Sequence, residues 1–195
     1  MVVTSRKMSL KEFLSFDDGT DTYYELENGE LLAMAPESEL NQRIASFLFA
    51  YFLRVGVPFE RLRMKTELAV SGIRATVRIP DFLVLSAELV TALEGAARAT
   101  VMLEMPPPRL VVEIVSPGKK NADRDYRYKK SQYEARGIEE YWIVDPVAGQ
   151  VSVLSLVEGL YEVATFEEES VLISKMLSEF KREDLSAGRL LRANA

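Results

Sequence analysis

The sequence predicts an α/β fold, a mixed sheet with helices packed against it, and three observations predict it. A strand, a helix and a strand follow one another over 109–115, 123–136 and 139–145, the order of a βαβ-like unit. Asn28-Gly29 divides two strand-like runs in "TYYELENGELLAM", the strongest short-range hairpin signal. Apolar residues recur at helical spacing from Leu40 to Val55. The chain has 195 residues, enough for one domain with a substantial core, and 48% hydrophobic with 28% charged residues is an ordinary globular balance.

Each element has its own local reason. Ser9 and Glu12 in "SLKEFL" form a capping box for a short helix whose apolar side is Leu10, Phe13 and Leu14. The Asn28-Gly29 hairpin follows. The stripe of the long helix is Leu40, Ile44, Phe47, Leu48, Tyr51, Phe52 and Val55. Strand-like runs come next in "PFERLRMKTELAVSG" and "ATVRIPDFLVLS". "EGAARATVMLEMPPPR" is expected to be a surface excursion, ended by Pro106 to Pro108. "RLVVEIVSPG" is a strand buried on both faces, and the loop "SPGKKNADRD" leads to a helix from about Asp123 to Arg136, stopped by Gly137. The strand "EEYWIVDP" and an antiparallel pair, "GQVSVLSLVEG" and "LYEVATFEE", complete the core; the segment from Val171 is amphipathic.

Composition removes whole classes of chemistry. There is no cysteine, so disulfides, thiolate catalysis and thiolate metal sites are excluded. There is no histidine either, which excludes a Ser-His-Asp mechanism and leaves only oxygen donors for a metal, a set that favours magnesium, manganese or calcium. A net charge of −6 provides no global field to attract nucleic acid, although local gathering of basic residues can still do so. "MVVTSRKMSLKEFLSF" lacks a signal-peptide apolar stretch and no run is long enough to span a membrane, so a cytoplasmic location is the expectation.

Three features can carry chemistry. Glu113 interrupts the apolar strand formed by Leu110, Val111, Val112, Ile114 and Val115, where an unpaired carboxylate would be costly. Either a protein cation pairs it, as buried ion pairs do without function, or a metal does. Asp81 follows Pro80 and opens the apolar run Phe82 to Leu85; it is a turn residue at a strand end or, if the two strands are neighbours, a second carboxylate converging with Glu113 on one divalent cation. On the helix "DRDYRYKKSQYEAR", Asp125, Lys129, Gln132 or Tyr133, and Arg136 share a face. That face is either solvated, the usual fate of helix charges, or sets Lys129 or Lys130 beside the metal. Glu140 and Asp145 are expected to be structural; Glu25 and Glu30 flank the hairpin turn and either approach the cleft or are simply solvated there, which explains them equally well. "SPGKKN" has no phosphate-cradling pattern.

The succession "YYELENGEL", "RIPDFLVLS", "LVVEIVSPG" and "DYRYKKSQYEARGIEEYWIVDP" resembles the Uma-two family of "putative restriction endonucleases", part of the PD-(D/E)XK nuclease superfamily, from about Tyr23 to Tyr161. The resemblance implies a restriction-endonuclease-like core with a central mixed sheet flanked by helices. It implies one domain over 1–195, with a core of about 23–166 and terminal extensions. Asp81 and Glu113 match the metal-binding acids and would hold Mg²⁺ or Mn²⁺. The superfamily places its lysine two residues after the second acid, where this chain has Val115; Lys129 matches the lysine that this family takes from the following helix, with Lys130 as its neighbour. Asn41 stands near where many relatives carry histidine.

The implied activity is metal-dependent hydrolysis of DNA phosphodiesters; the apolar stripes of the C-terminal strands and of the long helix leave room for a homodimer, which is the expected state. Two other readings stay open. One is a degenerate nuclease fold acting as a binding or assembly module, which the broken lysine spacing and acidic charge favour. The other is a hydrolase of a smaller phosphoester. Gathering of Arg61, Arg63, Lys65, Arg74, Arg78 and Lys119 around the acids would favour DNA.

Overall fold

The computed structural model describes residues 7–118, 123–181 and 184–193. Helix α1 (Leu10–Leu14) forms with both halves of its capping box, Ser9 and Glu12. Strands β1 (Tyr24–Glu27) and β2 (Glu30–Ala33) make the hairpin, and Asn28 (φ 50°) and Gly29 (φ 83°) supply the two left-handed residues that such a tight turn requires. Then come α2 (Glu39–Arg54), β3 (Leu62–Arg63), β4 (Glu67–Val70), β5 (Thr76–Arg78) and β6 (Phe82–Val84). Helix α3 (Ala87–Leu93), β7 (Thr100–Val101) and β8 (Leu110–Ile114) follow. A π-helical turn, Arg124–Lys129, runs into α4 (Lys130–Ala135). The chain finishes with β9 (Glu140–Asp145), β10 (Gln150–Val157), β11 (Leu160–Glu167), α5 (Lys175–Glu179) and α6 (Ala187–Arg192).

The fold class is the one expected, but the strands divide between two mixed sheets. One has the order β2-β1-β5-β4-β7 and the other β11-β10-β9-β8-β6-β3. The division falls between β5 and β6, at Ile79, Pro80 and Asp81, where proline cannot donate to a ladder. β8 and β9 are parallel on either side of the π turn and α4, which is the βαβ unit of the sequence, and β4 and β7 form the other parallel pair. Two details differ from expectation. α3 forms with Ser86 as its N-cap, and β7 lies inside the supposed surface excursion, with Val101 fully buried because it pairs with β4.

Strand alternation assigns each side chain of the larger sheet to a face. Val112, Ile114, Trp142 and Val144 face α2, which is Ser38-capped and buries Ile44, Leu48 and Phe52 against them. Phe52 stacks on Phe82 at 5.5 Å and lies tilted against Trp142 at 5.9 Å. Leu172, Met176, Leu177, Leu185 and Leu190 of the C-terminal segment join this core. Val111, Val115, Tyr141 and Ile143 face the other way, toward Tyr133 and Ile138 and toward Leu68 and Val70 of the smaller sheet. Glu113 shares the parity of Val111 and Val115. It therefore points at the helix, into the layer between the two sheets.

No helix among the described residues is long and apolar enough to cross a membrane.

Candidate active site

Glu113 is paired by the protein itself. Lys129 Nζ donates to its Oε2 at 2.7 Å and the Tyr133 hydroxyl donates to its Oε1 at 2.6 Å. Lys129 and Tyr133, four residues apart across the junction of the π turn and α4, thus clamp both oxygens. Lys129 Nζ is also 3.3 Å from Asp125 Oδ1 and 3.8 Å from Glu25 Oε1. The Tyr141 hydroxyl, donating to the Asp125 carbonyl at 3.1 Å, ties the π turn to β9. The helix face expected to be either solvated or functional is thus a packed one: Gln132 accepts from Arg78 Nε at 2.9 Å, and Arg136 Nη2 donates to the Met102 and Met105 carbonyls.

Burial sets the proton affinities here. Burial raises the Glu113 carboxyl above the usual range, and Asp125, Asp81 and Glu25 add to it while Lys129 opposes. Burial alone would lower Lys129, but Glu113, Glu25 and Asp125 outweigh it and hold the ammonium charged. Burial would raise Glu25, yet Lys129, Arg78 and Arg124 bring it below its ordinary value.

Asp81 stands on the neighbouring strand's edge. Its Oδ2 accepts from Ile114 N at 2.7 Å, which fixes the carboxylate beside β8, and its Oδ1 accepts from Lys65 Nζ at 3.1 Å. Lys65 also pairs with Glu37. Asn41, in the first turn of α2, accepts from Ser38 Oγ and donates through Nδ2 to Ile114 O at 3.4 Å and Ser116 Oγ at 3.3 Å. A cavity of about 270 Å³ opens onto Glu25, Glu37, Asn41, Asp81, Glu113 and Lys129, with Arg124 at its wall.

The three residues singled out in the sequence, Asp81, Glu113 and Lys129, thus line one cavity, and Lys129 rather than Lys130 delivers the ammonium to Glu113. Of the basic residues considered, Lys65 reaches Asp81, and Arg78 is buried against Glu25 (3.1 Å) and Glu27 (2.9 Å). Arg61 and Arg63 instead donate to the Leu85 and Leu62 carbonyls, and Arg74 is exposed on the loop after β4. Lys119 lies outside the described residues. Glu140 and Asp145 are structural as expected: Glu140 accepts from Ser174 Oγ and Lys175 N, and Asp145 from Val147 N and Ala148 N. Glu30 pairs with Lys7 at the surface.

Glu37 escaped the sequence reading altogether, whereas Glu25, Lys65 and Asp125 entered it only as a hairpin acid that could approach the cleft, a basic residue that could gather round the acids, and a member of the Lys129 helix face. The available signal was complementarity. Arg78 sits in the apolar run "TVRIP" and needs an acid, just as Glu113 needs a cation.

For a metal, the donors on offer are carboxylates, the set that suits magnesium or manganese. Among the described residues no three acidic side chains are grouped as a ready-made cage. Asp81 Oδ1, however, faces the partly exposed Lys65 ammonium and not a backbone donor. The pair Asp81 and Glu113 therefore fits an ion that is held partly by water and substrate.

No curated protein matches the chain. A crystal structure from Anabaena variabilis ATCC 29413, described as "a putative nuclease belonging to DUF820", is similar with a TM-score of 0.68 at 17% identity, covering 95% of this chain and 98% of that one. That likeness is one of fold. The model of the Uma2 family, described as "Putative restriction endonuclease", matches residues 10–187, and the chain belongs to that family.

Proposed function

We propose that the protein is a divalent-metal-dependent endonuclease of the PD-(D/E)XK type that hydrolyses DNA phosphodiesters. One observation carries this reading: Asp81 and Glu113, from adjacent strands, line one cavity with the Lys129 ammonium 2.7 Å from Glu113. Family membership supports a nucleic-acid substrate.

Asp81 and Glu113 would hold the ion. Bound there, Mg²⁺ or Mn²⁺ would supply positive charge against the phosphate and acidify a water. The protein's own groups do the rest. Ile114 N fixes the Asp81 carboxylate, and Tyr133 and Lys129 fix that of Glu113, so neither acid needs to reorganise. The Lys129 ammonium, kept charged by three carboxylates, offsets negative charge as it develops. Arg124, partly exposed at the cavity wall, is the cation best set to meet a phosphate from solvent.

The test is nicking of supercoiled plasmid with Mg²⁺ or Mn²⁺ by wild type, Asp81→Asn, Glu113→Gln and Lys129→Met. Each variant is expected to lose about a hundredfold or more in rate. Unchanged nicking by Asp81→Asn would remove the site from the reaction.

The binding-module reading has one observation in its favour: Glu113 is already neutralised by Lys129 and Tyr133. It predicts no metal-dependent cleavage by wild type at all. A homodimer, proposed with the nuclease reading, cannot use the apolar stripe of α2, because Ile44, Leu48 and Phe52 are spent in the core. The exposed Leu160 and Val163 on edge strand β11 are the better support for it.

A further inference from the structure

We infer that the Lys65 ammonium holds the place of a divalent cation between Glu37 and Asp81, and that an ion binding there expels the lysine and gains Glu37 as a ligand. The inference rests on the metal-dependent reading above and adds to it a displaceable plug.

Lys65 lies in the short connection between β3 and β4 with φ 54°, a left-handed conformation that residues with a side chain seldom take. That turn throws the side chain across the end of the sheet, where Nζ meets Glu37 and lies 3.1 Å from Asp81 Oδ1. Glu37 comes from the segment leading into α2 and Asp81 from the residue just before β6, so three separate stretches of chain converge on one positive point. An ammonium between two carboxylates already has the donors and the sign of a cation site. A divalent ion accepts the same oxygens with twice the charge.

Of the two lysines in the site, only this one can leave. Lys129 is 2% exposed and shared among three acids, whereas the Lys65 side chain is 23% exposed and Glu37 and Asp81 are 18% and 11% exposed. Departure of Lys65 does not loosen Asp81, because Ile114 N still holds Oδ2 at 2.7 Å. The lysine also has somewhere to go. Glu37 borders both the site cavity and a second cavity of about 410 Å³, whose walls include Lys65, Tyr23, Pro36 and Gln42. Released from Asp81, the ammonium turns into that second space.

The experiment is calorimetric titration of the full chain with Mg²⁺ and Mn²⁺, for wild type, Lys65→Gly, Lys65→Arg and Glu37→Gln, with melting curves for each. Glycine suits the left-handed backbone, so Lys65→Gly removes the plug without straining the turn; Lys65→Asn, which also tolerates that conformation, is the second plug-free variant. Lys65→Gly is expected to bind Mg²⁺ about tenfold tighter than wild type, since one charge-assisted competitor is gone. Lys65→Arg keeps wild-type affinity, and Glu37→Gln binds about tenfold more weakly. Equal or weaker binding by Lys65→Gly and Lys65→Asn, beside a wild type that binds, overturns this inference and leaves the metal-dependent reading standing. If wild type and the plug-free variants all fail to bind, both fall together. Binding by the plug-free variants alone supports the plug and shows that the resting protein is held shut.

Discussion

The Lys129 ammonium and the Glu113 carboxylate meet at 2.7 Å with side chains only 2% and 4% exposed. Removing one partner of such a pair strands a charge in a medium that cannot solvate it. Lys129→Met should therefore lose about 3–5 kcal/mol of unfolding free energy in urea. Lys129→Met combined with Glu113→Gln should recover only part of that loss, because buried Asp125 and Glu25 also lose the ammonium. A single variant as stable as wild type would mean that Tyr133 alone suffices for Glu113.

The same burial gives a pH signature. Glu113 is pushed up to about 7 from 4.5, by burial first and by Asp125, Asp81 and Glu25 after it, against Lys129. The folded protein thus holds this proton more tightly than the unfolded chain does. Its stabilising contribution is full below about pH 4.5 and is lost as pH rises through about 7. Glu25, lowered by Lys129, Arg78 and Arg124 against its burial, runs the other way and loses its contribution as pH falls. The melting temperature of wild type minus that of Glu113→Gln should fall between about pH 5 and about pH 8. A flat difference would show that Glu113 is ionised throughout, as a simple ion pair.

Metal should stabilise the fold by mass action. At free Mg²⁺ about a hundredfold above its dissociation constant, the gain is about 2.7 kcal/mol. Differential scanning calorimetry at constant ionic strength measures it, and Asp81→Asn should abolish it. A shift that survives in Asp81→Asn would come from ions bound elsewhere.

Arg78 joins the smaller sheet to α4 through Nη1 on Glu25 and Glu27 and Nε on Gln132. Lysine keeps the charge but lacks the planar fork, so Arg78→Lys should cost about 2 kcal/mol in chemical unfolding. Equal stability would show that charge alone matters at this position.

The local parts of this molecule were legible because their causes are local. The Asn28-Gly29 turn, the α2 stripe and the Gly137 stop (φ 75°) depend on neighbours within a few residues. Pairing across the sheets is not local, so nothing near Pro80 announced that the strands before and after it belong to different sheets. The acids divided along the same line. Glu113 was conspicuous because apolar residues surround it in sequence. Glu25 alternates with apolar residues as a solvent-facing strand position does, and it is buried because Arg78 of β5 and Lys129 of the π turn close over it. The π turn is equally hidden: over the six residues from Arg124 to Lys129 its period cannot be told from that of an α-helix.

Glu140 shows what the C-terminal segment is for. This carboxylate sits on β9 with 1% of its surface exposed, and its partners are Ser174 and the first backbone amides of α5, some thirty-five residues later in the chain. A protein cut back to the β10–β11 hairpin would keep strands β1 to β11 and still carry an acid at the sheet's end that has lost its Ser174 and α5 donors. Such trimming would do more than shorten the molecule. It would take the lid off a charged well in the sheet, and the shortened chain should open from that end.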